Sequence, residues 1–194
     1  MKEKIDKEHA MNIRALVPLA DGVEEMEAVI IIDVLRRAGW NVVTAGIRNG
    51  TVIASRKVAL VPDTILSDIY TNDLDIIILP GGAQGTKELR ADKRIIHTVL
   101  QMFKAGKTVA AICAAPLVLQ DAGILKGRRA TCHPGVKEHF TATEWINERV
   151  VIDGNIITSQ GPGTAFEFAL ALVEKTNGRE LAAKLSSEMI LPIP

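Results

Sequence analysis

The sequence predicts an α/β fold with a mostly parallel central sheet covered by helices on both faces. Three observations carry that expectation. Short apolar runs alternate with amphipathic stretches along the chain, each apolar run ends in a turn signal, and no repeat, linker or low-complexity segment interrupts the pattern. Strands buried on both faces read as continuous apolar runs, and the helices that cover them show a period near 3.6 residues.

Taken in chain order, residues 13–20 (IRALVPLA) form the first buried strand and stop at Asp21 and Gly22. Residues 24–38 have helical periodicity, with Arg36 and Arg37 in the last turn and Gly39 as the stop. NVVTAGI (41–47) is the next strand, and residues 51–61 hold one or two shorter strands ended by Pro62. LDIIILPGG (74–82) is an apolar strand that opens into a glycine loop. Asp92 is placed to cap a helix through Lys104, with Ile95, Ile96, Val99, Leu100 and Phe103 on one face and Gly106 closing it. The strand TVAAI (108–112) then runs directly into the helix APLVLQDA (115–122). Pro116 sits in that helix's first turn, where a missing N–H costs nothing, and Gly123 ends it. RATCH (129–133) is a brief strand halted by Pro134. VVIDGNIITS (150–159) reads as a hairpin around Asp153 and Gly154. GPGT (161–164) leads into a helix to about Thr176, and a last helix covers 179–189.

At 194 residues the chain is expected to form one domain over 13–194, preceded by a charged, flexible lead-in over 1–12. Hydrophobic residues make up 47% and aromatics 4%, so the core is aliphatic. Acidic and basic side chains balance at 23 each without a basic stripe, which argues against nucleic acid or an anionic membrane as partner. No apolar stretch reaches the length of a membrane span, and the N-terminus lacks the apolar core of a signal peptide. Two cysteines without metal-ligand spacing fit a reducing cytoplasm and imply neither a disulfide framework nor a metal.

In sheets of this kind ligands bind beyond the carboxyl ends of the strands. Three places qualify: residues 20–22, residues 80–85, and Cys113. Ala111 and Ala115 flank Cys113 as the glycines flank the serine of a G-x-S-x-G turn, leaving room for a sharp strand-to-helix bend. A thiol there faces the positive end of the next helix, which is expected to lower its pKa. The alternative is a small buried hydrophobe. Around the first helix at 100° per residue, Glu27 falls in line with Ile30, Ile31, Val34 and Ala38, Glu24 lies at that face's edge, and Glu25 joins Asp33 and Arg36 on the polar side. A carboxyl group on the core-facing stripe must be strongly hydrogen-bonded or have a raised pKa. The helix dipole alone accounts for Glu24 and Glu25 but not for Glu27. Along RATCH, Thr131 and His133 share one face and Cys132 points the other way. If His133 reaches Cys113, Cys132 does not, which argues against a disulfide between the two cysteines. Gly81 and Gly82 can offer N–H groups to an oxyanion or simply make a tight turn; P-G-G-A-Q-G is neither a phosphate loop nor a dinucleotide fingerprint.

LADGVEEMEAV, ILPGG, AAICAAP, TCHP and TSQGPGTAFEFALALVE, in that order, resemble the DJ-1/ThiJ/PfpI superfamily, in the branch of the human parkinsonism-associated protein deglycase, over residues 13–191. The resemblance implies a flavodoxin-like α/β/α sandwich, usually a homodimer. It implies Cys113 as the reactive cysteine, Glu27 as a protonated glutamate hydrogen-bonded to it, and His133 as the nearby histidine. Gly82 and Ala114, with Gly81 beside them, match the backbone of the oxyanion pocket, and Arg56 matches an arginine on the dimer-facing side. The implied activity is cofactor-independent and acts on reactive dicarbonyls such as methylglyoxal, or on their early glycation adducts with protein or nucleotide. The alternative is a redox-sensing chaperone whose Cys113 is oxidised to sulfinic acid. Ala114 stands where the intracellular-protease branch has a histidine, and no late His-x-Glu pair of the class I amidotransferases is present. The extra thiols of the human relative are replaced by Ala54 and Val61.

Overall fold

The structure, a computed structural model, describes residues 13–141 and 143–192; the charged segment 1–12 lies outside the described residues. It is a flavodoxin-like α/β/α sandwich around a seven-stranded sheet. The chain runs β1 (Arg14–Leu19), α1 (Glu25–Arg37), β2 (Asn41–Gly46), a small hairpin of β3 (Val52–Ile53) and β4 (Ala59–Leu60), and the edge strand β5 (Thr64–Ile65). It continues through β6 (Ile76–Leu79), α2 (Ala83–Ala91), α3 (Lys93–Lys104), β7 (Thr108–Ile112) and α4 (Pro116–Asp121). A side pair of β8 (Arg129–Ala130) and β9 (Glu144–Trp145) precedes the hairpin β10 (Val150–Asp153) and β11 (Ile156–Ser159). Then α5 (Ala165–Asn177) and α6 (Arg179–Glu188) close the fold. The main sheet has the order β10-β11-β7-β6-β1-β2-β5, parallel throughout except for the β10–β11 pair.

Alternation along the strands sorts the core into two layers. Ala15, Val17 and Leu19 pack with Ile31 and Leu35 of α1 and Phe168 and Leu172 of α5 on one face. Leu16, Ile77 and Leu79 pack with Leu89 of α2, Ile95 and Val99 of α3, and Val118 of α4 on the other. From β1 the chain builds outward through β2, and from β6 it builds outward the opposite way through β7. The order therefore switches between β1 and β6, and the loops leaving their carboxyl ends diverge there to open a crevice.

The structure departs from the sequence-based expectations at four places. α2 was not anticipated: AQGTKELRA carries a single large apolar residue, Leu89, and holds Gly85, whose side-chain position would lie 2.7 Å from the Val23 nitrogen. The edge strand β5 is two residues long and leaves no periodicity to read. The hairpin turn sits on Gly154 and Asn155, because Asp153 still pairs with Ile156 and Gly154 takes up φ +60°. RATCH is extended only at Arg129 and Ala130. Beyond them the Thr131 N–H donates to Thr158 Oγ1 (2.9 Å) and the His133 N–H to the Cys113 carbonyl (2.8 Å), which turns the chain toward the end of β7. No helix among the described residues is long and apolar enough to cross a membrane.

Candidate active site

Cys113 follows β7 directly and adopts φ +64°, in the left-handed region that non-glycine residues seldom enter. Its N–H donates to the Ser159 carbonyl at the end of β11 (3.0 Å) and its carbonyl accepts from His133, so neighbouring chain fixes the bend. Held in this way, the side chain projects into the crevice, partly exposed, while Cys132 is fully buried beside Trp145. Both cysteines are free thiols.

Glu27 reaches the sulfur from α1. It is fully buried on the face shared with Ile31 and Val34, as its helical position predicts. Its Oε2 accepts from the Gly81 N–H (2.7 Å), its carboxyl group hydrogen-bonds Cys113, and its Oε1 has no hydrogen-bond partner among the described residues. Burial pushes Glu27 up to about 7; the Gly81 and Cys113 hydrogen bonds pull it down, and the negative charge of Glu24 adds to the rise.

The acidic thiol expected from the helix end is not found. Burial, with the charge of Glu27 beside it, pushes the Cys113 thiol up to about 12 even though hydrogen bonds from the Gly82 and Ala114 N–H groups pull it down. The following helix, α4, is six residues long and supplies little dipole against that burial. The two side chains are thus one proton-sharing unit. While Glu27 is ionised the sulfur keeps its hydrogen. When the proton passes from sulfur to the Glu27 carboxylate, the thiolate is met by Gly82 N–H, Ala114 N–H and the Glu27 hydroxyl, without change in net charge.

Helix α1 also sets the backbone around the sulfur. Glu24 caps α1 by accepting the Glu27 N–H on Oε2 (2.7 Å), and its own N–H donates to the Gly81 carbonyl (3.0 Å). Because C=O and N–H point opposite ways across a trans peptide, holding the Gly81 carbonyl at Glu24 turns the Gly82 N–H toward Cys113. The Gly81 N–H is committed to Glu27. Gly81 therefore supports the carboxyl group, and the donors facing sulfur are Gly82 and Ala114. A side chain at Gly81 would lie 2.6 Å from Cys113 Cβ and 2.7 Å from Glu27 Oε2, so only glycine fits.

A pocket of about 610 Å³ opens above the sulfur, lined among others by Glu24, Arg56, Lys57, Gly82, Cys113 and His133. His133 is exposed; its Nδ1 accepts from the Gly135 N–H (3.0 Å), which leaves Nε2 as the protonated nitrogen of the neutral ring. Arg56 is exposed on the pocket rim. Glu25, placed by the helical wheel on the polar side, is instead 7% exposed. The turn joining β3 and β4 covers it, and it accepts from Ser55 Oγ (2.6 Å) and the Arg56 N–H (2.7 Å). Burial pushes Glu25 up, but these bonds outweigh it and hold its pKa below the ordinary value. Lys57 and Glu25 are the residues at this site that sequence reasoning missed. A wheel drawn for one helix cannot show what a distant hairpin covers.

Residues 13–175 match the DJ-1/PfpI family. Protein DJ-1 homolog B of Arabidopsis thaliana is 47% identical over 178 residues, 91% of this chain and 41% of that protein, so the chain spans less than half the length of this plant relative. Glutathione-independent glyoxalase DJR-1.2 of Caenorhabditis elegans is 39% identical over 178 residues, 91% of this chain and 94% of its own. The crystal structure of Drosophila melanogaster DJ-1beta matches with a TM-score of 0.91 at 38% identity, covering 94% of this chain and 100% of that one. With a cysteine bend of this build and likenesses over nine-tenths of its length, the chain belongs to the DJ-1/PfpI family.

Proposed function

We propose that the protein is a cofactor-independent cysteine enzyme that converts reactive dicarbonyls such as methylglyoxal, or their early adducts with amines and thiols, to hydroxy acids. The observation that carries this reading is the hydrogen-bonded pair of Cys113 and a buried Glu27 of pKa about 7, with two backbone N–H groups directed at the sulfur. A relative named as a glutathione-independent glyoxalase supports it.

Proton transfer from Cys113 to Glu27 gives the thiolate, which adds to the aldehyde carbon. The Gly82 and Ala114 N–H groups stabilise the oxyanion, and Glu27 protonates it to the hemithioacetal. Glu27, now a carboxylate, removes the hydrogen from that carbon and returns it to the neighbouring carbon, while the hydroxyl proton passes to the neighbouring carbon's oxygen, which turns the adduct into the thioester of lactate. Water cleaves the thioester and restores the thiol, so methylglyoxal plus water becomes lactic acid with no external oxidant or reductant. His133 offers Nε2–H to the substrate from the rim. D- and L-lactate measured enzymatically after incubation with methylglyoxal, without glutathione, should rise well above the buffer rate; no lactate above that rate rules the reading out.

A second reading, a redox sensor or chaperone, draws on one specific feature. The partnerless Oε1, protonated, can donate to an oxygen of a Cys113 sulfinate and stop oxidation there. After mild peroxide, mass spectrometry should find two added oxygens on Cys113 and none on fully buried Cys132; the reverse pattern removes this reading. We also infer a cytoplasmic homodimer. Glu25 fastens the first turn of α1 to the β3–β4 hairpin, and both elements carry exposed apolar side chains, Met26, Val29, Ile53 and Val58, that a second copy can cover.

A further inference from the structure

Besides the β3–β4 hairpin, the pocket above Cys113 is walled by the loop after β1, with Asp21 and Glu24, and by the first turn of α2, with Gln84. Helix α2 carries none of the exposed apolar side chains assigned above to a second copy.

Gln84 is held at both ends of its side chain. At the amide end its Nε2 donates to Glu88 Oε1 (2.7 Å), one turn on, while Arg48 Nη2 donates to Glu88 Oε2 (2.7 Å). A carboxylate only accepts, so the amide must turn its NH2 group to Glu88. Its oxygen, Oε1, is then left with no hydrogen bond among the described residues. At the other end Gly22 takes φ +80°, and a Cβ there would lie 2.4 Å from Gln84 Cβ and 2.9 Å from its Cγ, so a glycine is what lets the Gln84 stem lie against that loop. The acceptor is therefore positioned before a ligand arrives, and little side-chain freedom is lost on binding.

The other acceptors of this wall are charged. Asp21 uses Oδ1 for the Ile53 N–H (2.8 Å) and Glu24 uses Oε2 for the Glu27 N–H (2.7 Å), and each keeps a second oxygen. A cationic group is drawn to those carboxylates, whereas the neutral amide oxygen of Gln84 suits a neutral O–H donor. Methylglyoxal has no such donor, and a pocket of about 610 Å³ takes ligands well beyond three carbons.

We infer that Gln84 is a specificity-determining residue: its Oε1 accepts a hydroxyl group on the carbon chain of the carbonyl compound bound at Cys113, and the preferred compound is a hydroxylated, sugar-like aldehyde or dicarbonyl. Addition at sulfur rests on the dicarbonyl reading above; selection by Gln84 is measured without turnover.

Reversible addition of an aldehyde to Cys113 forms a bond from sulfur to carbon and moves the thiol hydrogen to the carbonyl oxygen, which shields the sulfur from iodoacetamide. Propanal and glyceraldehyde have equal carbon chains, and only glyceraldehyde bears hydroxyl groups. For each, the concentration that halves alkylation of Cys113 is read by mass spectrometry. The ratio of the two, propanal to glyceraldehyde, should fall about fivefold in Gln84→Met, within the roughly two- to tenfold that one neutral hydrogen bond supplies. Methionine keeps the length of the side chain, and the intrinsic reactivity of each aldehyde cancels between the two proteins. The fall should come from weaker protection by glyceraldehyde, with propanal unchanged, and should recur in Glu88→Leu, where Gln84 stays but its amide is no longer aimed. A ratio unchanged in Gln84→Met, a fall that comes from propanal alone, or no protection of the wild type by either aldehyde overturns the inference; a ratio unchanged in Glu88→Leu overturns the aiming by Glu88. A protein that shows the ratio yet makes no lactate from methylglyoxal keeps the subsite and loses the dicarbonyl reading, and lactate without the change in ratio does the reverse.

Discussion

Glu27→Gln is expected to lower methylglyoxal turnover by about 10²–10⁴-fold, the usual contribution of a general acid–base, while making the protein more stable above pH 7. Glutamine has nearly the same shape, and its carbonyl oxygen can still accept the Gly81 N–H that Oε2 accepts now. It cannot take a proton from sulfur or carry one between two carbons. The stability gain follows from the position of Glu27 in the core. Its ordinary value is 4.5 and burial raises it to about 7 in the folded protein. Below 4.5 the folded and unfolded chains both hold the proton and Glu27 is no burden. As the pH rises from 4.5 toward 7 the unfolded chain releases its proton and the folded chain does not, so stability is lost. Above 7 the penalty is complete, on the order of 3 kcal/mol. Denaturant unfolding of both proteins at pH 4 and pH 8 should show the variant gaining that amount at pH 8 only. The Cys113 thiol, pushed up to about 12, titrates outside this window and does not confuse the comparison. An equal difference at both pH values means that Glu27 does not titrate in this range, and the proton-sharing pair fails with it.

This opposition between stability and chemistry explains what could be read from the sequence. Glu27 was legible because burial along one helix is a local, periodic property, and a carboxyl group in line with Ile31 and Val34 breaks the period's logic. The alternation of strands and helices was legible for the same reason, as was the bend at Cys113, flanked by alanines. Glu25 was not, since its burial comes from a hairpin some thirty residues later in the chain (its partners are Ser55 and Arg56). The short helix α2 was missed because its glycine answers to the backbone of Val23 and not to helix propensity. The acidity of Cys113 was misjudged because helix geometry can be inferred locally, whereas desolvation depends on everything packed around the sulfur. Periodicity carries the skeleton of the site, and tertiary cover decides its charges.

Gly82→Ala should then act in the opposite sense to Glu27→Gln, losing stability and activity together. Gly82 lies at φ +92°, and a Cβ there would sit 2.3 Å from the Gly22 carbonyl oxygen and 2.6 Å from the Glu24 nitrogen. Those atoms cannot yield cheaply. The Gly22 N–H is tied to the Ile53 carbonyl (2.7 Å), the Val23 N–H to the Ala20 carbonyl (3.0 Å) and the Glu24 N–H to the Gly81 carbonyl (3.0 Å). Gly106 provides the comparison, since it has φ +74° but nothing within 4 Å of an added Cβ. Gly106→Ala carries only the left-handed backbone cost of about 1–2 kcal/mol. Gly82→Ala adds overlap with backbone and should cost more than about 3 kcal/mol. At about 2–4 °C per kcal/mol for a chain of this size, thermal unfolding should separate the two variants clearly. Turnover should fall by about 10²–10³-fold in Gly82→Ala, because the displaced N–H is one of the two donors facing the sulfur, and stay unchanged in Gly106→Ala. Equal melting temperatures for the two variants would mean that the loops after β1 and β6 can part to admit a methyl group. Their interlock could then no longer be what aims the Gly82 N–H at Cys113.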